Sequence, residues 1–372
     1  MSMQENLKEA KALMDSFLAR TGVDSPKGDP RERYLWTDAF AVQGCFALSN
    51  LLNDEGYKQK ALNLIELVHA TLGKHREDDE RTGRISGLSE KDGKEHPTAG
   101  GLRIGKELPE DDPTSDWDRD GQYFHYLTRW FSALMAAYEE TSDQKYAQWA
   151  AELMKASEAF IDRKGEDIRM YWKMNIDLSE PMVMSMGRHD PMEGLINTLS
   201  TINTLPEMEM PLKPLLEDFE LLSADMNWFT DDSLGLGGLL LNTSRALRLQ
   251  NDGVTLPKSV RPHFLFETAV TGLRYFTERK YRPDAEASSR LAFRECGMTL
   301  GLNTLRGMQE ELEESGLDTA DLRPYMKLTE EIENFWKKPQ NREGGTWKDH
   351  QNINAVTLAC SLLAYQKKVA SL

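Results

Sequence analysis

The 372-residue chain carries 45 Lys plus Arg against 61 Asp plus Glu, a formal charge of −16. That balance disfavours nucleic acid or an anionic membrane as the main partner, because both recruit basic surface. The three cysteines, Cys45, Cys296 and Cys360, lie singly in apolar stretches, so neither disulfides nor a zinc site is expected. The N-terminus has no basic start followed by an apolar core, and no apolar run reaches about 18 residues; a soluble cytoplasmic protein with no membrane partner is expected.

Residues 4–20 place Leu7, Ala10, Leu13, Met14, Phe17 and Leu18 at steps of three and four, the pattern of an amphipathic helix, which ends before the Gly, Asp and Pro cluster at 22–30. Residues 36–53 are apolar nearly all round, as in a buried helix. The alternation of outer then inner helix recurs at 57–73 with 120–140, 143–163 with 190–205, 212–228 with 236–250, 258–280 with 288–309 and 321–337 with 350–368. β-Branched alternation is scarce, and no low-complexity linker divides the chain. An all-α fold is expected, with residues 1–372 forming one closed domain. The longest irregular stretch, about 74–119, is expected to cover a rim, with local strands near Arg84 to Leu88 and Leu102 to Ile104.

Each inner helix follows a decorated junction, around Trp36, Asp120, Asp190, Gly235, Ser289 and His350. Inner helices that start on one side converge their N–H donors and flanking side chains on one cavity. The densest junction is Asp116-Trp117-Asp118-Arg119-Asp120-Gly121-Gln122-Tyr123-Phe124-His125-Tyr126. Carboxylates for proton transfer, polar groups for hydroxyls and aromatic faces for C–H surfaces are what a sugar site needs. The alternative is that Asp120 caps the helix and Asp118 faces water. At Arg188-His189-Asp190-Pro191-Met192-Glu193, an N-cap, an N1 proline and a capping-box acid explain Asp190 and Glu193, which leaves Arg188 and His189 as the better ligand candidates. Trp36 and Asp38 open the first inner helix, and Trp347 and His350 the last. The glycines at 235–238 suit close helix packing as well as ligand approach.

Three short motifs carry no chemistry. Gly100 to Lys106 has P-loop spacing, but Glu107 stands where Ser or Thr must reach magnesium. Asp116, Asp118, Asp120 and Gly121 match half of a calcium loop, but Leu127 occupies the position of its bidentate Glu. The pairs Asp111-Asp112 and Asp231-Asp232 lack the third Asp of a DDxxD motif. No metal and no cofactor are expected.

The helix-pair rhythm over nearly the whole chain resembles the six-hairpin glycosidase-like superfamily, the (α/α)6 toroids. Locally the resemblance is carried by Trp36-Thr37-Asp38, Asp118-Arg119-Asp120-Gly121-Gln122-Tyr123 and Arg188-His189-Asp190-Pro191. It implies an inner and an outer ring of helices, a funnel-shaped site at the inner-helix entrances, and a carbohydrate-active enzyme. No subfamily signature is present. The leading expectation is a glycoside hydrolase acting on a short oligosaccharide or glycoside. Its carboxylate pair is drawn from Asp38, Asp118, Asp120 and Asp190, with Asp120 and Asp38 the first choice. Trp36, Trp117, Tyr123 and Trp347 would stack on sugar rings, while Arg103, Arg188, His189 and His350 would hold hydroxyls or a carboxylate. A sugar isomerase or epimerase using His125, His189 and His350, a lyase, and a non-catalytic helical scaffold stay open, as does the oligomeric state.

Overall fold

The computed structural model describes residues 3–365 apart from 26, 30, 115, 116 and 166. Asp116 and the last three residues of the helix expected at 350–368 therefore lie outside the described residues. Twelve helices of 13 residues or more form among the described residues: α1 Met3–Arg20, α2 Leu35–Leu52, α3 Glu55–Thr71, α4 Phe124–Thr141, α5 Gln144–Ala156, α6 Asp190–Thr204, α7 Glu209–Ser223, α8 Ser233–Asn251, α9 Pro262–Arg279, α10 Ala292–Gly307, α11 Arg323–Lys337 and α12 Gln351–Ala364. The starts are chemically marked. Asp54, Asp143 and Asp232 cap α3, α5 and α8 by accepting from the N–H of Gly56, Lys145 and Gly235. Asn53 and Ser142 end α2 and α4 in left-handed conformations, with φ of 52° and 56°.

The even-numbered helices form the inner ring. Each packs on the next, α2 on α4, α4 on α6, α6 on α8, α8 on α10 and α10 on α12, and α12 returns to α2. Burial follows position: residues Leu35 to Ser49 of α2 are all buried, whereas α1 buries only the stripe Ala10, Leu13, Met14, Phe17 and Leu18. The molecule is an (α/α)6 toroid, as the helix rhythm led one to expect. The packing partners, however, are shifted by one from the expected hairpins. Each outer helix docks chiefly on the inner helix before it, α3 on α2, α5 on α4, α7 on α6, α9 on α8 and α11 on α10, while α1 docks on α12 and closes the ring. Chain-end bonds reinforce the closure: Arg20 donates to Asn352 (2.9 and 3.0 Å), Lys337 to Asn6 (3.0 Å) and Arg342 to Glu9 (2.7 Å). The shortest links join α2 to α3, α4 to α5 and α6 to α7, and short loops favour antiparallel neighbours.

Two irregular segments rise on the side where the inner helices begin. In the stretch between α3 and α4 the strands expected near Arg84 to Leu88 and Leu102 to Ile104 do not form; there are the isolated bridges Lys74 with Arg84 and Leu108 with Arg119 and a short helical turn at Asp92–Glu95. The strands fall elsewhere. β1 (Gln122–Tyr123), β4 (Lys173–Met174) and β5 (Pro181–Val183) make an antiparallel sheet in the order β1-β4-β5, and β2 (Ile161–Asp162) pairs with β3 (Arg169–Met170). Of the glycines around 235, Gly237 serves close packing: a Cβ there would stand 2.2 Å from the carbonyl oxygen of Gly297 on α10, while one on Gly238 meets nothing within 4 Å. Gly237→Ala is therefore expected to destabilise the fold by roughly 1–3 kcal/mol through overpacking. Gly238→Ala should be neutral or stabilise by about 0.5–1 kcal/mol through helix propensity. Urea denaturation of both variants checks the pair.

Candidate active site

A cavity of about 1470 Å³ opens where the inner helices start. Its wall includes Trp36, Thr37 and Asp38 of α2, His125 and Tyr126 of α4, Leu234 of α8, Phe293 of α10 and Gln351 to Ile353 of α12, together with the C-terminal ends of α1 and α3. Five of the six inner-helix entrances thus open onto it directly. The sixth, that of α6, reaches it through Glu193, which binds His125.

The four candidate acids occupy very different environments. Asp38 is buried in the wall: it accepts the Tyr34 N–H (3.1 Å), and Arg33 lies 3.6 Å from its other oxygen. Burial outweighs the attraction of Arg33 and pushes its carboxyl up to about 6. Asp118 also lines the cavity, with a side chain 63% exposed and the Lys106 ammonium at 3.3 Å. Tyr34 is linked to both, to Asp38 through its N–H and to Asp118 through that carboxylate's charge. Burial pushes its phenol up and the charge of Asp118 adds to the rise, while its hydroxyl shares a 2.6 Å hydrogen bond with Tyr126.

Asp120 is not part of the wall. It is fully buried and accepts from Arg103, from Arg76 (3.4 Å) and from the N–H groups of Gly105 (3.0 Å) and Lys106 (3.3 Å). Its lone pairs are spent on clamping the segment between α3 and α4 and none faces the cavity, unlike the acid or base expected there. Arg103 touches the cavity but gives its guanidinium to Asp120, Lys74 O (2.6 Å) and Thr71 O (2.9 Å).

Asp190 is the first residue of α6, and its Oδ2 accepts the Gly187 N–H (3.1 Å). Burial, then the charge of Glu193, pushes it up to about 7. Glu193 is no capping-box acid. Its side chain turns inward and accepts from His125 (2.8 Å), Thr128 (2.6 Å), Arg129 and Asn242 (3.3 Å). Burial alone would raise it, but Arg129 and His125 hold it well below the usual carboxylate range. His125, Asp190 and Glu193 offer ligand atoms within 4.8 Å of one another, the spacing of a cation site. Four donors, one of them a guanidinium, already fill Glu193, so the group reads as a hydrogen-bonded network that orients His125.

Among the remaining candidates, Trp36 and His350 line the cavity, His350 edge-on to Phe293 with ring centroids 5.7 Å apart. Three expectations are corrected. Arg188 and His189 turn away and donate to the carbonyls of Phe229 and Trp228, both at 2.8 Å, tying α6 to the segment before α8. Trp347 is buried and stacked on Trp336 with centroids 5.7 Å apart, so it serves the core. Tyr123 and Trp117 stand beside the cavity, in a row of rings with Trp172, which the sequence reading missed. A signal for it existed: Ile168, Met170, Trp172, Met174 and Ile176 fall on alternate positions, the period of a strand.

No protein-family model matches the sequence, and no curated protein matches it. Solved structures do share the fold. An α-1,6-mannanase, GH76A of Salegentibacter sp. HEL1_6, in complex with α-1,6-mannotetrose, is 11% identical over all of both chains with a TM-score of 0.54. The GH76 α-mannanase of Bacteroides thetaiotaomicron is also 11% identical, over 99% of this chain and 96% of its own, again with a TM-score of 0.54. The Salegentibacter protein is an inactive variant in which two consecutive aspartates are replaced. Among the described residues here, consecutive aspartates occur at 78–79, 111–112 and 231–232, and of these only Asp78 lines the cavity, paired with Arg76 at 2.7 Å.

Two outcomes are expected from the buried acids. Glu193→Gln should cost about 3–5 kcal/mol of stability, because it strips Arg129 of its buried counter-charge; urea denaturation measures it. Asp38 and Asp190 bind protons more tightly folded than unfolded, so their contribution is full below pH 3.8 and is lost as pH rises to about 6 and about 7. Asp190→Asn should therefore flatten the fall in stability between pH 4 and 7, read as melting temperature against pH.

Proposed function

We propose that this chain is a glycoside hydrolase that cleaves a short oligosaccharide in the cavity at the inner-helix entrances, with Asp38 as proton donor and Asp118 as the second carboxylate. One observation carries the reading: two carboxyl groups line one cavity, the first buried and holding its proton towards pH 6, the second largely exposed beside Lys106. Glycoside hydrolysis uses such a pair, an acid to protonate the leaving oxygen and a carboxylate to act as nucleophile or to activate water. The shared toroid with two α-mannanases supports a saccharide as substrate. Trp36 offers a ring face, and His125, fixed by Glu193, and His350 offer hydrogen bonds to hydroxyls. We take the whole chain as one such domain. A reducing cytoplasm suits its three buried free thiols, Cys45, Cys296 and Cys360; no helix among the described residues is long and apolar enough to cross a membrane.

The test is a panel of neutral and uronic oligosaccharides, α-1,6-linked mannose chains included, incubated in deuterated buffer and followed by NMR. Wild type is expected to cleave a panel member, with a rate that falls as pH rises through about 6, where Asp38 gives up its proton. Asp38→Asn and Asp118→Asn should each lose roughly a hundredfold or more while remaining folded. Deuterium entering intact sugar without cleavage, or full activity in both variants, would overturn the assignment.

A further inference from the structure

Outside the cavity the rings form a row. Trp117 is 68% exposed, unusual for the largest apolar side chain, and immediately precedes the cavity residue Asp118. Its ring lies 5.5 Å from that of Trp172 with the planes 37° apart, and Trp172 lies 4.8 Å from Tyr123. Tyr123 meets Tyr126 edge-on at 5.0 Å, and Tyr126 lines the cavity. The row therefore runs from open solvent to the cavity wall.

Trp172 and Tyr123 are held in place. The Trp172 indole N–H donates to Ser185 Oγ at 3.0 Å. Tyr123, itself nearly buried, has the Lys173 ammonium over its ring at 5.0 Å, and β1 and β4 pair these two residues directly. Ordering the exposed indole of Trp117 gains little by itself, because one face still meets water. Pyranose rings present an apolar C–H face, and an indole of fixed orientation offers the matching surface with little entropy left to lose.

We propose that Trp117 and Trp172 form an outer shelf that binds the distal sugar units of the oligosaccharide whose scissile bond lies in the cavity. The proposal rests on the glycoside hydrolase reading for the identity of that occupant. It sets the substrate class as oligosaccharides long enough to reach past Asp118 and Tyr126 onto the shelf. Mono- and disaccharides, held in the cavity alone, do not use it. Neutral sugars fit best, since stacking on an indole needs no charge on the ligand.

The test measures binding, separately from cleavage. The full-length Asp38→Asn protein is titrated with mannose-, glucose- and xylose-based oligosaccharides of two to six units, following the Trp117 and Trp172 indole signals by NMR and affinity by calorimetry. Affinity is expected to climb with chain length as both indole signals move. Trp117→Ala should remove roughly five- to tenfold of the gain for long chains and leave disaccharide binding unchanged. Trp172→Ala should do the same if its melting temperature shows that it folds; the exposed position of Trp117 keeps the test valid if it does not. Long chains that bind with undiminished affinity to Trp117→Ala, or a panel that leaves both indole signals still, would overturn the shelf. Chains that bind the shelf but are never cut by wild type would instead sink the hydrolase reading and leave the shelf standing.

Discussion

Glu193 is a carboxylate buried at the junction of three inner helices. It accepts from His125, Thr128 and Arg129 of α4 and from Asn242 of α8, while its own backbone belongs to α6. A charge in that position would cost several kcal/mol without compensation. The guanidinium and three further donors remove the cost and convert it into geometry, since the inner ring cannot slide at this level without breaking several charge-assisted bonds. The same bonds aim His125 into the cavity, so the residue that secures the ring also orients part of its polar lining.

A second buried carboxylate does the equivalent work for the rim. Asp120 gathers Arg103, Arg76 and two backbone N–H groups, and those bonds fold the segment between α3 and α4 down onto the inner-helix entrances. Asp120 and Glu193 are satisfied by structure, whereas Asp38 and Asp118 belong to the cavity wall. The division explains why, of the junction's described aspartates, Asp118 lies on the cavity wall and Asp120 does not. It also separates two effects that a carboxyl-to-amide substitution would otherwise confuse, loss of a clamp and loss of chemistry.

The toroid was legible because its signals are long and periodic: stripes such as Ala10, Leu13, Met14, Phe17 and Leu18, and the all-round apolar helix from Leu35, follow directly from which faces meet solvent. The shift in packing partners was not, since a helix pattern tells which face is buried and says nothing of which neighbour buries it. At the site, Trp36, Asp38, Asp118, His125 and His350 reach the cavity as expected. Asp120, Arg188, His189 and Trp347 do not, because their polar atoms or ring faces find partners far away in sequence: Arg103 and Arg76, the carbonyls of Phe229 and Trp228, and Trp336. Glu193 was misassigned for the opposite reason. Its local spacing from Asp190 suits a capping box so well that its inward turn towards α4 leaves no trace in the sequence.

The most direct measurement is a crystal structure of the Asp38→Asn variant with the best-binding oligosaccharide. A sugar chain is expected in the cavity with one glycosidic oxygen about 2.6–3.2 Å from the side chain at position 38. Asp118 should then stand across the scissile bond, the two side chains about 5–5.5 Å apart for a retaining enzyme or about 6.5–9.5 Å for an inverting one. A sugar chain bound elsewhere on the ring, or one whose glycosidic oxygens all lie beyond reach of position 38, would contradict it.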